Sequence, residues 1–125
     1  MPVSAEDVRE VALQLPRAYE AWVRSHHKFR VGSLVFASVD PDETTLGFGF
    51  PREERAALVE SEPEKFFLPP RPSDLRYQWV CAWLSALDRD ELEELVTDAW
   101  AMCVPKSVAA AWFAEGGGPQ VSRER

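Results

Sequence analysis

Apolar and polar positions along this chain alternate in two rhythms, and the changes of rhythm mark out its elements. Val8, Val11, Ala12 and Leu15 recur at i, i+3, i+4 and i+7, one stripe of an amphipathic helix. Ser4 stands before that stripe as an N-cap, with Asp7 three residues on in a box-like pattern. Val3 and Val8 hold the two staple positions, and Pro16 closes the helix. A second helix is predicted from Pro51, a residue suited to the first helical position, to about Glu60, with Pro63 as its breaker. The clearest helix is capped by Asp88, with Glu91 completing a capping box and Leu87 and Leu92 as its staple. Its stripe reads Leu92, Leu95, Val96, Ala99, Met102 and Cys103, and Pro105 stops it. Lys106 to Phe113 reads as a further short helix, with Trp112 and Phe113 packing back.

Between the helices the pattern shortens towards a period of two. Tyr19 to Val23 and Phe29 to Val31 are strand candidates around a Ser25-His26-His27 turn. Leu34 to Val39 is a firmer strand, followed by an Asp40-Pro41-Asp42 turn. From Thr44 to Phe50, Leu46, Phe48 and Phe50 point one way while Gly47 and Gly49 point the other, so that a ring or backbone can approach the glycine face. Ser61 to Asp74 holds four prolines and reads as an irregular connection with Phe66, Phe67 and Leu68 as a packing plug. Tyr77 to Leu84 is a strand with Tyr77, Trp79, Cys81 and Trp83 on one face. The fold class is therefore α+β, in the order α-β-β-β-α-β-α. Short links favour an antiparallel sheet of about five strands with helices packed on one face and the other face partly open. Residues 1–113 form a single domain, and residues 114–125, with three successive glycines, are expected to be a disordered tail.

The length of 125 residues suits that one domain without staples. Cys81 and Cys103 sit in apolar runs, outside any C-x-x-C pattern, and read as reduced core thiols. Met1 to Leu15 carries neither a basic n-region nor an apolar h-region, and no apolar run approaches the roughly 20 residues of a membrane span, so a cytoplasmic protein with no membrane partner is expected. The net charge is −7, which repels phosphate backbones unless the cations cluster. They do so modestly: between Pro16 and Val39 stand Arg17, Arg24, Lys28 and Arg30 against one acid, Glu20, a local +3 that His26 and His27 add to at lower pH.

The order and wording of the segments resemble the MmcQ/YjbR family. The residues that carry the resemblance are Val8-Arg9-Glu10-Val11-Ala12-Leu13-Gln14-Leu15-Pro16, the stretch Lys28 to Ala37, the helix Pro51-Arg52-Glu53-Glu54-Arg55-Ala56-Ala57-Leu58, the strand Tyr77-Gln78-Trp79-Val80, and the closing helix through Ala99-Trp100, together covering roughly residues 4 to 106. The resemblance implies a curved antiparallel sheet, a double-wing arrangement similar to CyaY and to secretion chaperones. It also implies a DNA-binding label, assigned to members mainly by analogy of fold. It supplies no catalytic motif. Before the strand tryptophan this chain carries Pro70-Arg71-Pro72-Ser73-Asp74-Leu75-Arg76 in place of the family's frequent His-Leu-Asn-Lys-type run.

Two surfaces emerge as candidates. The first is a nucleic-acid surface of Arg17, Arg24, His26, His27, Lys28 and Arg30, where cations meet phosphates and interleaved rings stack on bases. The second is a ligand surface of Trp22, Arg71, Arg76, Tyr77, Trp79 and Trp83, suited to a protein or a small apolar ligand. Adjacent strand residues face opposite ways, so His26 and His27 are not expected to chelate one metal. Neither glycine group opens a helix with the lysine a phosphate loop needs. The expectation is a binding module without cofactor, metal or catalytic residues, whose candidate partners are DNA, a protein or a small apolar ligand.

Overall fold

The computed structural model describes residues 2–115, the side chains of Ser73 and Asp74 excepted. The elements run α1 (Ala5–Leu13), β1 (Tyr19–Val23), β2 (His26–Val31), β3 (Leu34–Val39), β4 (Thr45–Gly49), α2 (Arg55–Ser61), β5 (Phe66–Phe67), β6 (Trp79–Trp83), α3 (Arg89–Ala101) and α4 (Lys106–Ala114). The expected tail lies, from Gly116 onward, outside the described residues.

The first helix starts where its cap dictates. Ser4 Oγ accepts from the Asp7 N–H at 3.3 Å, and Asp7 Oδ2 accepts from the Ser4 N–H at 2.8 Å, a complete box. The α3 box is only half made. Asp88 caps the Glu91 N–H at 2.8 Å, but the Glu91 carboxylate turns away to receive Lys65 Nζ at 2.8 and 3.0 Å. The α3 stripe also differs from the predicted one: Leu92, Val96, Ala99 and Trp100 are fully buried, whereas Met102, just past the helix end, is 41% exposed. Trp100 is turned inward by its own hydrogen bond, Nε1 donating to the Pro16 carbonyl at 2.8 Å, which ties α3 to the end of α1.

All strands pair antiparallel in the order β1-β2-β3-β4-β6-β5. The sheet has six strands because Phe66 and Phe67, expected as an irregular plug, pair with Ala82 and Cys81 as a short edge strand. The β1–β2 turn is Arg24-Ser25, both at positive φ (54° and 70°), and His26 and His27 belong to β2. That pair of left-handed residues has the sign pattern of a two-residue hairpin turn, whose twist matches that of the strands it joins. The predicted second helix begins as a 3-10 turn, Arg52–Glu54, before α2. The last strand begins at Trp79 rather than Tyr77. Arg55 donates to the carbonyls of Tyr77 at 2.9 Å and Leu75 at 2.6 Å, so that stretch is held by a guanidinium instead of a strand ladder.

Residues pointing to one sheet face form the core: Phe29, Ala37, Val39, Leu46, Phe48, Phe66, Val80 and Ala82, packed with Val8, Val11 and Ala12 of α1 and the buried stripe of α3. A register shift in β2–β3 pairs Phe29 with Ala37 and Arg30 with Val35, leaving Phe36 as the extra residue of a bulge. Arg89 reinforces the helix layer, donating to Asp7 at 3.1 Å and Glu10 at 3.3 Å of α1 and to Glu93 at 3.0 Å.

Candidate functional site

The opposite sheet face carries a hollow of about 970 Å³, bounded at one end by Ala99, at the end of α3, and by Met102 and Cys103 just after it. Its floor follows from strand register. Lys28 pairs with Ser38, Ser38 with Gly47, Gly47 with Cys81 and Cys81 with Phe67, so these five residues form one row across β2, β3, β4, β6 and β5. Ser38 and Gly47, in the middle, are the smallest. At one side of them rise Trp79, Trp83 and Phe67; at the other stand Lys28 and His26.

Gly47 has an identifiable purpose. A Cβ there would lie 2.6 Å from Trp79 Nε1 and 2.9 Å from both Cε2 and Cζ2. Three contiguous ring atoms within 2.9 Å mean that the indole is pressed against the strand at this position, which only a glycine permits. Trp79 also lines the hollow. Trp83, 43% exposed, packs against Phe67 with centroids 4.9 Å apart and the rings tilted by 33°, and Tyr77 carries the Arg76 guanidinium 5.2 Å above its ring. Arg71 lines the same hollow.

Of the six residues expected on the nucleic-acid surface, β2 brings three together. His26, Lys28 and Arg30 are the half-buried, alternate residues of the strand, on the side away from the core. His27 is not with them. It is buried on the core side, its ring stacked on Trp22 with centroids 3.9 Å apart, and its Nε2 donates to Glu20 Oε1 at 2.7 Å. Arg17 and Arg24 are exposed at opposite ends of β1, about 20 Å apart at strand rise, and so do not cluster. Trp22, expected beside the aromatic face, is a second correction. Its register with His27 turns it to the helix side, on the edge of the sheet away from β6. That face could not be assigned from the residues alone, because parity in β1 depends on a pairing partner.

Glu20 and Asp40 show how the carboxylates near β2 are occupied. Hydrogen bonds from Arg9 and then His27 hold the Glu20 carboxyl below its ordinary range. Burial pushes Asp40 upward, but Thr45 and Thr44, with Asp42, outweigh it and leave Asp40 lowered. Both Asp40 oxygens therefore serve the β3–β4 turn. Sequence reasoning did not anticipate Ser38, Thr45 or Asp40 as lining residues, since each is ordinary in a strand or turn and acquires meaning only through the row it joins. Among the described residues, no three His, Cys, Asp or Glu side chains gather closely enough to hold a metal ion. No helix among them is long and apolar enough to cross a membrane.

The YjbR family model matches residues 13–102, most of the chain. The chain belongs to the YjbR family. Similar family-sized relatives include the uncharacterized proteins Rv2570 of Mycobacterium tuberculosis H37Rv and Mb2600 of Mycobacterium bovis, each 29% identical over 119 residues, spanning 94% of this chain and 90% of the relative. The crystal structure of Deinococcus radiodurans protein DR2400, a DUF419 domain, has a similar fold, with a TM-score of 0.69 at 22% identity over 83% of this chain and 80% of that one. The α+β architecture expected from the MmcQ/YjbR resemblance, a curved antiparallel sheet with helices on one face, is the architecture observed.

Proposed function

We propose that this YjbR-family chain is a non-catalytic binding module whose ligand rests in the concave sheet face. The observation that carries the reading is the cross-section of the hollow: an aromatic side where Trp79 covers Gly47, a floor at Ser38, and a basic side at Lys28 and His26, in adjacent strands. Small-molecule sites have this make-up, being concave, of about 300–1,000 Å³, and apolar with a few placed polar groups. A panel of planar aromatic molecules titrated into protein labelled with 15N in its indoles tests it. The Trp79 and Trp83 signals should shift while Trp100 stays fixed; a panel that moves neither Trp79 nor Trp83 refutes the reading.

A DNA-binding role is supported by one feature, the stripe of His26, Lys28 and Arg30 on a single strand face. The net charge of −7 and the presence of Asp40 and Asp42 around the same hollow weigh against it, since a phosphate polymer meets that field over its whole length. Fluorescence anisotropy with single- and double-stranded oligonucleotides in low salt separates the two roles. Micromolar binding that weakens with salt and disappears in the Lys28→Ala/Arg30→Ala variant would establish the DNA role.

A further inference from the structure

Resting on that reading of the hollow, we infer that its ligand is a flat aromatic molecule carrying an anionic group, with the ring over Trp79 and the anion at Lys28. Three cations away from the hollow are held by carboxylates. Arg9 is paired with Glu20, Lys65 with Glu62 and Glu91, and Arg89 with Asp7, Glu10 and Glu93. Lys28 is half-buried at the hollow and meets no carboxylate among the described residues. The nearest acid in sequence terms across the strand pair, Asp40, already accepts from the N–H groups of Thr44 and Thr45 at 3.1 Å. An ammonium at the edge of a hollow, with no carboxylate paired to it, offers an incoming anion a charge-assisted contact.

The ring is argued from Gly47. A strand that gives up a side chain so that an indole can press against it presents that indole as an aromatic platform in the lining of the hollow. Lys28 and Cys81 are three strands apart, about 14 Å between backbones at normal strand spacing. Between them lie Ser38 and Gly47, and Gly47 is covered by the Trp79 indole, so along this row Ser38 alone separates the Trp79 platform from Lys28.

A pair of probes of one shape tests this. 2-Naphthoate carries a carboxylate where 2-naphthamide carries a neutral amide. Binding to the intact chain is followed through the indole N–H signals of Trp79 and Trp83. The naphthoate should bind about tenfold more tightly, the worth of one partly solvated charge-assisted contact. That preference should vanish in Lys28→Met and return in Lys28→Arg, which also shows that loss is not misfolding. Equal affinity for the two probes, or a preference that survives Lys28→Met, overturns the anionic ligand while leaving the hollow as a binding site. If neither probe moves Trp79 or Trp83, the hollow itself fails and this inference with it.

Discussion

Replacing Gly47 with alanine adds a single methyl group, and the geometry states what it must do. The new Cβ would sit 2.6 Å from Trp79 Nε1 and 2.9 Å from two neighbouring ring carbons, well inside van der Waals contact. Gly47 has no positive φ, so the backbone itself accepts alanine. Two effects then compete. Lower entropy of the unfolded chain favours alanine by about 0.4–1 kcal/mol. Displacement of the indole from its seat opposes it, by about 1–3 kcal/mol on the scale of overpacked sites. The clash wins, and Gly47→Ala should be about 1–2 kcal/mol less stable in urea unfolding. The same substitution made in a Trp79→Ala background meets no ring, so there it should be neutral or slightly stabilising. The double-mutant cycle should therefore show a coupling of about 2 kcal/mol, in the range of residues in direct contact. Equal destabilisation in both backgrounds, or a Gly47→Ala protein as stable as the parent, would show that Trp79 does not lie on this strand.

Other outcomes follow from single contacts. The turn variant Arg24→Asn/Ser25→Gly places residues suited to left-handed backbone where φ is 54° and 70°, and should raise stability by about 1–2 kcal/mol in thermal or urea unfolding; a loss would contradict the turn geometry. Trp100→Phe removes the donor to the Pro16 carbonyl and should cost about 2 kcal/mol, whereas Met102→Ala, at an exposed site, should cost under about 1 kcal/mol, as read from urea midpoints. Glu20, whose folded carboxyl is lowered, contributes stability above the ordinary carboxylate range near pH 4 and loses it as pH falls through the lowered value. The stability difference between the parent and Glu20→Gln should therefore shrink between pH 6 and pH 3, and a constant difference would argue against the Arg9–Glu20–His27 contacts.

Much of the architecture was legible because it rests on local rules. Ser4 and Asp7 announce α1, Asp88 announces α3, and the alternation of Thr45–Gly49 separates Leu46 and Phe48 from the glycines by face. What escaped depends on partners distant in sequence. His26-His27 reads as a turn because the true turn, Arg24-Ser25, uses residues with no preference for positive φ. Phe66-Phe67 becomes a strand only because β6 offers it an edge. Met102 and Trp100 both extend plausible stripes on α3, and the Pro16 carbonyl selects Trp100. The same holds at the site. The aromatic residues Trp79 and Trp83 and the basic residues His26, Lys28 and Arg30 were visible, but their arrangement across Ser38 and Gly47 is a matter of register, and register removed His27 and Trp22 from the surface.

Binding of any ligand in the hollow requires that this sheet face stand open in solution. Paramagnetic broadening of the five indole N–H signals by a neutral gadolinium chelate measures this directly. Trp83 at 43% exposure should broaden strongly, Trp79 to a lesser degree because its N–H rests against Gly47, and Trp100 at 0% should keep its intensity. Protection of Trp83 and Trp79 equal to that of Trp100 would mean that the face is closed, and would contradict the account.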